Sequence, residues 1–285
     1  MARFILRRLF NGLPLSYRAR RRWEWSRSFP LPSYTARTPT IDGAGSLDIF
    51  LPPNPATLGA AAQDAMPDVE SVLARMTQTD EVAGVRTYYR AARERFGQHW
   101  RYADLLTTLW AAGTLSPLRT YLEIGVRNGR SVAVVGAVSP DCAIYGFDLW
   151  TDEYDGVANP GPEFVREQLQ AVSHVGEVEL VQGNSRKTVP AFLSGHPLLY
   201  FDLITMDGEK STLGWSSDLA AVLPRLKVGG ILISDDIFLA PHLGRLWDEV
   251  IRHDSRYVTW EFAQGGVGIA AAIRMSDGPL LAPLH

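Results

Sequence analysis

From residue 119 onward the chain alternates short apolar runs with helical patterns, and several of the apolar runs stop at a glycine or an aspartate. This alternation restricts the fold more than any other feature. Strand-like runs cover 119–124, 143–149, 178–181, 201–206, 230–234, 257–262 and 267–273. Helical spacing covers 130–138, 163–172, 185–193, 213–223 and 243–252. Strand followed by helix at these intervals predicts an α/β fold, a doubly wound and mostly parallel seven-stranded sheet with helices on both faces. Only turn residues separate the last two runs, so that pair is expected to be antiparallel.

Upstream the pattern is different. Residues 1–66 read as a basic arm and a Pro/Gly-rich linker, with one strand at 47–51. Residues 67–117 read as an N-terminal helical cap, with helical spacing at 68–76, 86–96 and 102–112. The segment Tyr88–Tyr102 either closes over a site or is an ordinary amphipathic helix. Residues 118–275 read as a single α/β domain, the expected seat of any ligand binding and catalysis, and 276–285 as a C-terminal tail.

Residues 1–30 hold eight arginines against Glu24, a local charge of +7, whereas the whole chain is at −3. Residues 1–28 are therefore expected either to touch an anionic membrane surface or to hang as a solvated tail. The remainder is acidic, which argues against a nucleic-acid partner. No apolar run approaches the ~18 residues that span a bilayer. A single cysteine, Cys142, excludes an internal disulfide framework and a cysteine-cluster zinc site. Together these place the chain in the cytoplasm, with peripheral membrane contact through the arm as an option. A homo-oligomer is compatible with such a chain.

The first strand runs into Glu123-Ile124-Gly125-Val126-Arg127-Asn128-Gly129-Arg130-Ser131. Two glycines four apart, between a strand and a helix, let a ligand approach the backbone closely. The spacing is not the Gly-x-Gly-x-x-Gly of dinucleotide-binding loops. The second strand ends in Gly146-Phe147-Asp148, about 20 residues further on, where an acid grips a ribose diol. Trp150 follows, either to cover an adenine or as ordinary packing.

With Gly183-Asn184-Ser185 after the third strand, these motifs resemble the class I S-adenosylmethionine-dependent methyltransferases. The resemblance covers roughly residues 100–275 and implies the Rossmann-like methyltransferase fold with S-adenosylmethionine as cofactor. It implies that Glu123 and Gly125 lie near the methionine moiety and that Gly129 and Ser131 open the helix on its carboxylate side. It further implies that Asp148 holds the ribose and that Asn184 and Ser185 flank the adenine.

The fourth strand ends in Asp207-Gly208-Glu209-Lys210-Ser211 and the fifth in Asp235-Asp236. Three carboxylates at the carboxyl ends of adjacent strands repel one another unless protonated or neutralised. A hard divalent cation, Mg²⁺ above all, is the economical neutraliser for oxygen donors. Asp207, Asp235 and Asp236 are the candidate metal ligands, and Asp207 also borders the cofactor site. The pattern resembles the metal-dependent O-methyltransferases of the sugar and catechol types. The sugar type reads Asp-Gly-Asp-His-Ser where this chain reads Asp207-Gly208-Glu209-Lys210-Ser211. The catechol type carries a lysine three residues after the metal aspartate, as Lys210 does here.

Methyl transfer to oxygen needs a proton acceptor at the hydroxyl. Glu209 suits a sugar acceptor, Lys210 a catechol-like phenol, and His242, six residues past Asp236, is a third candidate or a surface histidine. The expected activity is metal-assisted O-methylation of a sugar or polyketide-like metabolite. The alternatives are a catechol-type phenol methyltransferase and a non-catalytic scaffold that binds cofactor without turnover. The unusual Glu209-Lys210 pair keeps the scaffold in play.

Overall fold

The computed structural model describes residues 54–97, 100–151, 153–154, 157–263 and 267–277. The expectations for the arm at 1–30, the strand at 47–51 and most of the tail lie outside the described residues.

Seven strands form one sheet in the spatial order β5-β2-β1-β6-β7-β9-β8. They are β1 (Thr120–Ile124), β2 (Ala143–Asp148), β5 (Val178–Gln182), β6 (Phe201–Met206), β7 (Leu226–Asp235), β8 (Tyr257–Phe262) and β9 (Ile269–Arg274). The first five are mutually parallel, while β9 runs antiparallel to β7 and to β8. A two-stranded hairpin, β3 (Glu153–Tyr154) with β4 (Val157–Ala158), stands apart from this sheet in a stretch the sequence presents as loop.

Residues two apart face the same way in a strand, so each central strand supplies two cores. Tyr121, Leu203, Ile231 and Ile233 face one core. Leu122, Ile124, Ile204, Met206 and Leu232 face the other. The second core is covered by α7 (Ser185–Gly195), α8 (Thr212–Val222) and α9 (Pro241–Trp247). The first is covered by α4 (Leu105–Leu115), α5 (Arg130–Val138) and α6 (Gly161–Ala171).

The helices ahead of β1 join that same first core. They are α1 (Pro55–Asp64), α2 (Met66–Arg75) and α3 (Asp80–Phe96), and they bury Leu58, Val69, Leu73 and Tyr89. The cap is therefore continuous with one face of the sheet. Helix α1 replaces what proline and glycine content presents as linker. Pro55 lies in its first turn, where the missing N–H costs nothing, and Asn54 Oδ1 accepts from Ala56 N at 2.8 Å. Among the described residues no helix is long and apolar enough to cross a membrane.

The chain leaves β1 in one direction to β2 and β5, then returns to β6 on the other side. The crevice between the carboxyl ends of β1 and β6 is the topological switch point, where ligands bind in open α/β sheets.

Candidate active site

Gly125, just past β1, has φ +95°, a region open to glycine and strained for other residues. A Cβ there would collide with the Asp207 carbonyl oxygen. The Asp207 N–H donates to the Ile124 carbonyl at 2.8 Å, so the ends of β1 and β6 are stitched together across the switch point. Gly129, at φ +82°, is the N-cap of α5.

Asp148, at the tip of β2, accepts from Arg127 N at 2.7 Å through Oδ2 and from Trp150 N at 2.8 Å through Oδ1. These bonds pin the carboxylate beside the glycine loop. Trp150 is 4% exposed and its Nε1 donates to the Arg127 carbonyl at 2.7 Å. That bond holds the indole against the loop.

Glu123 does not line the crevice. It is fully buried; Ser131 Oγ donates to one carboxyl oxygen, and Tyr121 OH donates to the other at 2.8 Å. Burial pushes its carboxyl up to about 8, with the two hydrogen bonds pulling the other way. Asn184 caps α7, accepting from Arg186 N at 3.0 Å. Ser185 begins that helix near Asp218, a buried carboxyl that desolvation raises to about 7 and Ser185 pulls the other way.

The three aspartates converge: ligand oxygens of Asp207, Asp235 and Asp236 all lie within 4.8 Å of one another. Lys210 Nζ stands among them, 2.6 Å from Asp207 Oδ1 and 2.9 Å from Asp236 Oδ2. Burial raises the carboxyls of Asp207 and Asp235, and for Asp235 the two neighbouring carboxylates add to the rise. Burial alone would lower the Lys210 ammonium, but Asp207 and Asp236 more than offset it and the net shift is upward.

Glu209 turns away from this rim. Its side chain folds over Gly214, is 45% exposed, and pairs with Arg186 at 3.6 Å. Ser211 donates to it as well. His242 Nε2 lies 2.9 Å from the Lys210 carbonyl, so it braces the loop that carries Lys210.

A cavity of about 230 Å³ opens beside Asp207 and Asp235. Its floor is Gly125–Asn128, Arg130 and Ser131, and the cap contributes Val85 and Tyr102–Leu106. Val267 and Gly268, which sequence reasoning does not assign to the site, complete the wall. Sequence reasoning missed Arg130 and Asp104 as well. The position of Arg130 as the first residue after the glycine turn was the available signal; Asp104 reads only as the N-cap of α4.

A glycine loop at the switch point, an aspartate at the tip of the second strand and an acidic rim on the fourth and fifth parallel strands together make up the candidate site. The particular match follows: residues 122–237 fit the family model described as a methyltransferase domain. The fold also matches that of the O-methyltransferase TomG from Streptomyces achromogenes, involved in tomaymycin synthesis and solved in complex with S-adenosylmethionine. That match has TM-score 0.50 and 19% identity and covers 66% of this chain and 87% of the other. A calicheamicin methyltransferase gives TM-score 0.49 at 20% identity over 82% of this chain and 98% of its own. A methyltransferase from Geobacter sulfurreducens gives 0.47 at 16% over 70% and 92%. No curated protein matches the chain.

Proposed function

We propose that the protein transfers the methyl group of S-adenosylmethionine to a hydroxyl of a sugar or polyketide-like metabolite, with a divalent cation at the acidic rim. One observation supports this reading: the glycine loop, Asp207 and Asp235 line a single cavity, Asp236 stands beside those two acids, and loop and rim join where Gly125 touches Asp207.

The donor set fits a hard divalent ion. Three carboxylates against the one lysine ammonium leave two negative charges, and all the donors are oxygens. Asp207, Asp235 and Asp236 would hold the ion. When bound, S-adenosylmethionine supplies an electrophilic methyl group, and the cation supplies acidification of the acceptor hydroxyl.

The remaining work falls to the chain's own side chains. Asp148 receives the ribose hydroxyls, and the open backbone at Gly125 lets the donor lie against the rim. Lys210 stands at the rim as an ammonium held by Asp207 and Asp236; with those acids engaged by a cation it is free to shed that proton to solvent, and the neutral amine can then receive the proton of the hydroxyl, whereas Glu209 faces Arg186. His242 keeps Lys210 in register through its carbonyl. The cap residues Val85 and Tyr102 cover the cavity and shape the acceptor pocket.

A second reading, a catechol-type phenol acceptor, is favoured by the place of Lys210, three residues after Asp207 and between two of the acids. The test is release of S-adenosylhomocysteine from the full chain with Mg²⁺, on glycoside and phenolic acceptor panels, with and without chelator. Acceptor-dependent release that chelator stops is expected. Cofactor binding without turnover on either panel would favour the scaffold alternative.

A further inference from the structure

We propose that Glu81, on the cap, is a positioning residue for the cofactor: it latches the glycine loop from above and thereby sets the carboxylate that receives the ribose. The proposal rests on the reading that Asp148 takes the ribose.

Glu81 lies in the first turn of α3, where an acidic residue ordinarily serves the helix dipole. Here it reaches across to the loop. One carboxylate oxygen pairs with Arg127 NH2 at 2.6 Å, and Asn128 Nδ2 donates to the other. The Glu81 side chain is only 18% exposed, so the pair is poorly screened. Arg127 and Asn128 form the apex of the loop, and both line the cavity.

Arg127 is held from below as well. Its N–H donates to Asp148 and its carbonyl accepts from Trp150 Nε1. Its φ is +50°, a left-handed conformation that costs a non-glycine residue free energy and persists only where surrounding contacts impose it. Releasing the grip of Glu81 removes one of those contacts. Arg127 can then relax toward negative φ, its N–H leaves Asp148, and the carboxylate loses the bond that aims it. One turn along the same helix, Val85 lines the cavity, so the seat of the cap and the shape of the loop are set by one element.

The test uses the full chain with S-adenosylhomocysteine as probe. Calorimetry gives the affinity, and amide hydrogen exchange compares a peptide spanning 125–131 with one from β6. Losing a charge-assisted pair, Glu81→Ala is expected to weaken binding roughly 10-fold. It should also raise exchange in 125–131 while leaving β6 unchanged. Glu81→Gln, which keeps the shape and the bond to Asn128, should lose less, and it carries the test if the alanine variant does not fold. The double exchange Glu81→Arg with Arg127→Glu should recover part of the loss. Affinity within about twofold of wild type with unchanged loop exchange overturns the latch. If the wild type itself fails to bind the probe, the cofactor reading fails, and the exchange comparison in unliganded protein still decides whether Glu81 holds the loop.

Discussion

The ammonium of Lys210 stands 2.6 Å from the carboxylate of Asp207, three residues earlier in the same loop, and reaches on to Asp236. Lysine is thus the internal counter-charge of the rim, and in the proposed reaction it must give up its own proton before it can take that of the acceptor hydroxyl. Lys210→Met is expected to lower turnover by a factor of about 10²–10⁴, the usual worth of a positioned acid or base. Divalent-ion affinity, followed with Mn²⁺, should rise in the same variant because a competing cation is gone. Turnover within a factor of about two of wild type would remove Lys210 from the chemistry.

Asp207 serves the rim from the end of β6. Asp207→Ala is expected to cut methyl transfer about 100-fold or more while leaving cofactor affinity within a few-fold of wild type. Steady-state kinetics beside calorimetry separate the two effects. Full activity in excess chelator would end the case for a divalent ion.

Asp148 already carries two backbone hydrogen bonds, so its removal costs the loop as well as the proposed ribose contact. Asp148→Ala should weaken S-adenosylhomocysteine binding by about 10- to 100-fold, more than a similar change at Asn184, whose oxygen is engaged in capping α7.

Glu123 gives a pH signature. Its folded-state pKa of about 8 lies above the ordinary 4.5, so the folded protein binds the extra proton between those values. The stability this contributes is complete below about pH 4.5 and is lost as pH rises toward 8. Melting temperature in the wild type should therefore fall over that window relative to Glu123→Gln, whose amide does not titrate. Parallel melting curves from pH 5 to 9 would show that the carboxyl is not perturbed.

The sheet was readable because its central strands are self-contained apolar runs, and the run ends marked Gly125, Asp148, Asp207 and Asp235 directly. The meeting of the three aspartates was readable too, since adjacent parallel strands place their carboxyl ends side by side. The direction of a side chain was not. Glu209 and Lys210 are neighbours in sequence, and only the packing of Glu209 over Gly214 and toward Arg186 separates their roles. Glu81 was hidden for another reason: an acid in the first turn of a helix has an adequate local explanation, and its partners lie 46 and 47 positions away at Arg127 and Asn128. Helix α1 was missed because Pro55 breaks a helix only when it sits in the interior.

The contact between Gly125 and Asp207 has a consequence for how such a protein diversifies. Glycine turn and acid cluster are welded at one backbone junction, so neither can drift without dislodging the other. A ligand of different shape must be accommodated elsewhere, in the wall built by Val85, Tyr102 and the turn at Val267 and Gly268, and variation between kin should concentrate there.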